Sequence, residues 1–501
     1  MGKLKLAAIF SDHMVLQMGK QVAVFGEGTT GRNVTVCIDS FEATTKVADG
    51  KFLMYLPQMP YGGPFEMKVT DGKDTIVFED VYVGEVFLAG GQSNMELELQ
   101  NSEGGREEAL HAECDAIRMY NVLKTPVWDE EASAAERERR WKVCEPGAFM
   151  DVSAVAYYSA KKIHEQLGVA VGVIGCYQGG TSITCWMDND TLSSFAYGRQ
   201  YLSAYEIKVG AKTEQEYDYE YDQFQKGVDR WNHEVVKLKK DRPNITGEEI
   251  NTILGECPWN PPAGPKSMFR PSGLYETMFS RIVPYTVRAV WYYQGEEDAV
   301  RAPHYEEMLT RMVALWRADY NEADLPFVLV QLPMFIEKGA QDDKQWAKIR
   351  EAQYHVYRNV ENIGMVCLLD CGEYDNIHPV DKKTVGSRLA LQTLESVFHQ
   401  SVKGTSLFAA ALERKDNALI VSFDKDEMLA VQGSSLPYFE VAGTDGTYQE
   451  ATAEITDNRK VKISSENVKN PQFVRYAWVN YGEVSLFSET GLPIAPFELE
   501  S

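Results

Sequence analysis

Two kinds of hydrophobic patterning divide the chain. Up to about residue 80, short apolar runs (Val22–Phe25, Val34–Ile38, Phe52–Leu56, Thr75–Phe78) are separated by turn-forming stretches at Gly26–Gly28, Gly31–Asn33, Asp49–Gly50 and Asp71–Gly72. Short strands at this spacing predict a small β-sandwich-like domain over residues 1–80. From residue 81 the apolar runs become continuous and strand-length: Val81–Ala89, Val169–Cys176, Ala289–Tyr293, Phe327–Leu332 and Ile363–Leu369. Helical stretches lie between them, over Ser153–Leu167, Tyr305–Tyr320, Trp346–Arg358 and Val380–His399. A strand without polar alternation suits a parallel sheet covered by helices on both faces, so residues 81–401 predict a doubly wound α/β domain.

Residues 190–265 read as a helical insertion in that domain. Tyr217, Tyr221, Phe224, Val228, Trp231, Val235 and Leu238 alternate in steps of four and three, which places them on one face of a helix. A surface helix packed on its own protein is the favoured reading; covering a site's mouth or making a subunit contact are the others. Past residue 402 the pattern is β again (Ala418–Phe423, Tyr438–Val441, Val461–Ser464, Phe473–Val479), so 402–501 predicts a C-terminal β domain.

Length and charge narrow the function. A chain of 501 residues exceeds one ordinary core. No apolar run approaches the ~18 residues of a membrane span. The N-terminal apolar stretch is short and meets Asp12 at once, a poor signal peptide, which favours a cytoplasmic location over a trimmed secreted chain. A net charge of −24 repels phosphate backbones and anionic membranes, so neither nucleic acid nor membrane is an expected partner. The eight cysteines are scattered without CxxC spacing and are expected reduced and mostly buried. Neither HExxH nor HxH occurs among the eight histidines, so no metal or cofactor is expected.

Three polar clusters directly follow buried apolar runs: AGGQSNM at 89–95, YQGGTSI at 177–183 and QGEED at 294–298. Ligands bind beyond the carboxyl ends of parallel strands, so the three are expected to converge. Gly90 and Gly91 permit a sharp exit from the strand, and Ser93 then opens a helix suggested by MELELQ, beside free N–H groups. Ser93 is either a helix N-cap or a nucleophile. Asp375-Asn376-Ile377-His378-Pro379 follows the last strand and lets one loop supply a base and a carboxylate to orient it. The alternative there is an Asp–Asn turn with a surface histidine. Pro379 is suited to open the next helix at its first position. No GxSxG elbow surrounds Ser93, which argues against the usual α/β-hydrolase arrangement.

These residues resemble the sialate O-acetylesterase family of the SGNH hydrolases. The likeness rests on GQSNM (91–95), GGTSI (179–183) ahead of Trp186, WYYQGEED (291–298) and DNIHPVDKKTVGSRLA (375–390). It extends through FSDHMVLQ (10–17), GGPFEM (62–67), SAVAYYSAKKI (153–163), REAQ (350–353) and GLPIAPF (491–497), nearly the whole chain except the insertion. The resemblance implies a flavodoxin-like three-layer α/β/α domain flanked by β domains, and deacetylation through an acyl-enzyme. It implies Ser93 as nucleophile, His378 as general base and then acid, and Asp375 as its orienting partner. Oxyanion donors would be the N–H of Ser93, a glycine of the Gly179–Gly180 pair, and Gln294 in place of the asparagine of many SGNH enzymes. Gln92, Asn94 and Glu296 are candidate substrate contacts, Glu296 being more readily a buried structural carboxylate. The implied partner is an acetylated mono- or oligosaccharide, and the oligomeric state stays open. Acetylated plant xylan or mannan fragments are an alternative substrate, and a non-catalytic carbohydrate-binding protein is the alternative from another class.

Overall fold

The computed structural model describes residues 3–242, 245, 247–259 and 261–501. Its centre is built from the continuous apolar runs: β1 (Thr75–Gly91), β2 (Cys114–Asn121), β3 (Lys142–Cys144), β4 (Val171–Tyr177), β5 (Ala289–Tyr293), β6 (Phe327–Val330) and β7 (Ile363–Val366). They lie in the order β3-β2-β4-β1-β5-β6-β7. Every pairing is parallel except that of the edge strand β3 with β2. Every residue of β4 to β7 is buried, as a strand must be when helices cover both faces.

The helices that bear on the site are α1 (Ser93–Glu96), α2 (Ala154–Leu167), α3 (Ala302–Asp319), α4 (Gln345–Asn359) and α5 (Lys382–Ser396). α2 packs on α5 and α3 on α4, which completes a three-layer α/β/α domain. Gly386 allows the close α2–α5 approach, since a Cβ there would meet the Val155 carbonyl at 2.8 Å. α5 begins three residues after Pro379, not at it. Asp381 caps the helix by accepting from Thr384 N–H at 3.0 Å, and a capping carboxylate outranks the proline as the start signal.

β1 is longer than the expected strand because it serves two layers. Its first part pairs antiparallel with Gly62–Thr70, and its second part runs parallel in the central sheet. Burial alternates as far as Tyr82 and is then continuous to Gly91. The change of pattern at residue 81 marks a change in what covers one continuous strand. Val15–Gln17 runs parallel beside the middle of β1, and the remaining N-terminal strands pair antiparallel. Past residue 402, Ala418–Phe423 and Phe439–Ala442 each lie in a four-stranded antiparallel sheet.

By its internal contacts the chain divides into two units: Met1–Asn121 with Arg139–Gly179 and Pro284–Ser501, and Val122–Glu138 with Gly180–Val283. The second holds the expected insertion and is wider than 190–265. Its long helix, Glu214–Asp241, starts at a capping box formed by Thr213 and Glu216. The aromatic stripe is its shielded face: Tyr217 is buried and the other six positions are half-buried. The partners lie within the same unit, where Trp231 Nε1 donates to Gly255 O at 2.9 Å and Gly227 meets Pro258. The eight cysteines form no disulfide with one another, and four are buried and four half-buried. Among the described residues no helix is long and apolar enough to cross a membrane.

Candidate active site

The parallel registers bring the polar clusters to one level. Gly91 at the end of β1 stands opposite Tyr177 at the end of β4 and Tyr293 at the end of β5. The strand order changes direction beside β1, the place where open α/β sheets hold their ligands. Gly91 has φ +135°, and a Cβ there would lie 2.0 Å from the Tyr293 carbonyl oxygen, so only glycine lets the chain leave the sheet at this point.

Ser93 is the first residue of α1, with Gln92 at the N-cap and no side-chain cap bond. The helix-cap reading of Ser93 therefore falls. Its Oγ lies 2.8 Å from His378 Nε2, a hydrogen bond in which the hydroxyl donates when Nε2 carries no proton. The sequence separation is bridged by the loop after β7, which is tightly stapled. Glu373 accepts from Asn376 Nδ2 at 2.7 Å and from Val380 N–H at 2.8 Å, while His378 N–H donates to Asn376 Oδ1 at 3.1 Å. α1 is fixed by Ser153, which donates to Met95 O at 2.6 Å and caps α2 by accepting from Ala156 N–H. That explains the first serine of SAVAYYSAKKI.

The His378 side chain is exposed to solvent although protein surrounds much of it. Crowding by protein, reinforced by the Lys382 cation, pushes its pKa down from 6.5 to about 4. Water at the exposed side chain tempers that burial penalty; the direction leaves a neutral base near pH 7.

Asp375 does not supply the expected orienting carboxylate. It sits at φ +58° with its N–H on Ile336 O, and its Oδ1 accepts from Lys338 N–H at 2.9 Å. Among the described residues no hydrogen bond or ion pair joins it to His378. An Asp–Asn turn in the left-handed region aims the carboxylate at backbone instead.

The expected oxyanion donors also sort differently. Gly179 N–H donates to Glu96 Oε2 at 2.5 Å, a charge-assisted bond that occupies it. Gln294 is fully buried: its Nε2 donates to Asp298 Oδ2 at 2.7 Å and its Oε1 accepts from Tyr305 at 2.8 Å. It is a buried brace of the QGEED turn, held further by Gln353 of REAQ, which donates to the Gln294 carbonyl at 3.1 Å. Gly180 lies in the second unit at φ +66°, with Trp259 packed where a Cβ would be. Ser93 N–H, at the first helical position, has no acceptor within α1.

The three candidate substrate contacts are all buried. Gln92 Oε1 accepts from Gly295 N–H at 3.4 Å and Glu297 N–H at 3.3 Å, joining the first polar cluster to the third. Asn94 Nδ2 donates to Glu296 Oε1 at 2.7 Å and to Ile377 O at 2.9 Å, and its Oδ1 accepts from Lys382 Nζ at 2.6 Å. Polar atoms of all three bond to protein groups, and Glu296 is 6% exposed. Glu96 and Lys382 are the residues that sequence reasoning passed over. Lys382 carried one signal, a lysine pair in the first turn of a helix where the dipole disfavours cations.

A three-layer α/β/α sheet with a serine–histidine pair at its strand ends defines an SGNH-type hydrolase fold. Residues 258–395 match the family model for carbohydrate esterases described as sialic acid-specific acetylesterase. The sialate O-acetylesterase of Mus musculus is 24% identical over 87% of this chain and 82% of its own. That of Homo sapiens is 24% identical over 77% of this chain and 70% of its own. A crystal structure of a carbohydrate acetylesterase from Xanthomonas citri superposes with a TM-score of 0.78 at 26% identity, covering 99% of both chains. The protein is an esterase, similar over most of its length to the sialate O-acetylesterases and to the Xanthomonas citri carbohydrate acetylesterase.

Proposed function

We propose that the protein hydrolyses O-acetyl esters of sialic acids through an acetyl-enzyme on Ser93. The observation that carries this reading is the 2.8 Å bond between Ser93 Oγ and His378 Nε2, at the carboxyl end of the central strand. A hydroxyl needs a base to become a nucleophile near neutral pH, and an imidazole held neutral supplies one. Ser93 Oγ attacks the acetyl carbonyl as Nε2 takes its proton. The oxyanion is held by the backbone N–H of Ser93, which has no acceptor within α1. The protonated imidazole then gives its proton to the sugar oxygen, which leaves as an alcohol. Water, activated by the same nitrogen, releases acetate and restores Ser93.

Sialic acid esters are preferred as substrates on the family description and the names of the mammalian relatives. The test is acetate release from O-acetylated sialic acids, xylo-oligosaccharides and manno-oligosaccharides, with Ser93→Ala alongside. The sialate should show the highest kcat/KM, and Ser93→Ala should lose at least ~10³-fold on every substrate. A preference for acetylated xylan or mannan fragments overturns the substrate assignment and leaves the chemistry standing.

A further inference from the structure

Asn94 is the residue through which three separate parts of the candidate site are tied together. It follows Ser93 directly. Its amide N–H groups reach Glu296, in the turn after β5, and the carbonyl of Ile377, the residue before His378. Its oxygen receives the ammonium of Lys382 from the first turn of α5. All three side chains are shielded: Asn94 is 1%, Lys382 1% and Glu296 6% exposed. Lys382 Nζ also lies 5.6 Å from the centre of the Tyr293 ring. Glu296 Oε2 is buried with no hydrogen-bond partner.

Such an arrangement is costly to build. Burial draws the Lys382 pKa down to about 8, against the opposing pull of Glu296, and pushes the Glu296 carboxyl up. Buried charges of this kind contribute little net stability compared with apolar packing, while losing one partner leaves the other uncompensated. Geometric control is the function that such a bridge performs well. The proposed reaction requires Ser93 and His378, which come from distant parts of the chain, to stay within a hydrogen bond of each other. With Asp375 turned to Lys338, no carboxylate among the described residues is hydrogen-bonded to the His378 ring.

Resting on the reading of Ser93 and His378 given above, we propose that Asn94 and Lys382 are positioning residues. They hold the His378 loop on the nucleophile turn through a buried bridge closed by Glu296. Lys382 has a second effect, since its cation disfavours protonation of His378 and so keeps the base available at lower pH. The other ionisable groups of the neighbourhood are Glu296 after β5, Cys371, Glu373 and Asp375 in the loop after β7, and Asp381 at the start of α5. Of these, Glu296, Cys371, Glu373 and Asp381 act on Lys382.

The experiment measures pH profiles of kcat and kcat/KM for hydrolysis of 4-nitrophenyl acetate by the full chain, with Asn94→Ala, Asn94→Asp, Lys382→Met, Lys382→Arg and Ser93→Ala. Lys382→Met should move the acid limb of kcat/KM upward by roughly one pH unit. Lys382→Arg keeps the charge and should leave that limb in place, a distinction that general structural damage does not make. Asn94→Ala should lower kcat ~10²-fold with KM little changed, as expected when alignment rather than binding is lost. Asn94→Asp retains the size and the acceptor for Lys382 but loses both N–H donations, so it reads the same bridge should Lys382→Met fail to accumulate. Its kcat should fall at least tenfold. Wild-type kcat in both Asn94 variants, or an unmoved acid limb in folded Lys382→Met, overturns the inference. Ser93→Ala separates the two levels: if it stays active, the reading of the site itself fails. If it is inactive while the Asn94 and Lys382 variants match the wild type, the positioning role alone is lost.

Discussion

At the scale of residues, the site comes down to how one imidazole is kept neutral and aimed. His378 faces Ser93, with Lys382 as its charged neighbour and, among the described residues, no carboxylate bonded to its ring. A histidine whose folded pKa is lowered stays unprotonated below 6.5, so the acid limb of kcat/KM should lie below pH 6.5. The same shift has a stability consequence. Between the folded and unfolded pKa values the unfolded chain binds more protons, so this contribution is complete above about pH 6.5 and is lost as pH falls toward 4. Asp375→Ala adds a check on geometry. Freeing Lys338 N–H and loosening the loop should cost less than about tenfold in kcat, whereas removing a carboxylate that sets the histidine tautomer costs ~10⁴. An acid limb at or above pH 6.5 together with a loss of ~10³ or more would mean that Asp375 engages His378 during turnover.

At the scale of elements, the exit from β1 decides where Ser93 stands. A methyl at Gly91 meets backbone, the Tyr293 carbonyl at 2.0 Å, in a conformation of positive φ. The nearest atoms to a methyl at Gly90 are ring atoms of Trp316 and Tyr292, at 3.2 and 3.3 Å. Gly91→Ala should therefore lower the urea midpoint and kcat far more than Gly90→Ala, with strain alone costing ~1–3 kcal/mol. Equal midpoints for the two would remove the strained exit from the account. Much of this level was legible in the sequence, because uninterrupted apolar runs ending in Gly-rich polar clusters have few alternatives to parallel strands. Ala289–Tyr293 and Ala418–Phe423 occupy the expected residues. What was not legible depends on partners distant in sequence. Whether Gly179 N–H is free turns on Glu96, whether Gln294 can donate turns on Asp298, and whether Asp375 meets His378 turns on Lys338. A motif marks the position of each of these groups but not the neighbour that occupies it.

At the scale of the molecule, the N-terminal β layer is continuous with the central sheet, while the C-terminal strands form sheets of their own. β1 crosses from the N-terminal layer to the central sheet, and Tyr285 Oη donates to Val15 O at 2.7 Å. Trp141 Nε1 reaches Ile9 O at 2.8 Å, and on the C-terminal side Trp346 N–H and Phe335 N–H both bond to Asn480. The sheet that presents Ser93 is thereby clamped from both ends of the chain, which suits a reaction that depends on alignment. The central claim is that the acetyl group passes through Ser93. Acid quench of the enzyme turning over an acetylated sugar, followed by peptide mass spectrometry, tests it most directly. The account predicts an acetyl group on the peptide carrying Ser93, absent from Ser93→Ala, which should also release no acetate; acetate released at the wild-type rate by Ser93→Ala, with no acetylated peptide, would contradict it.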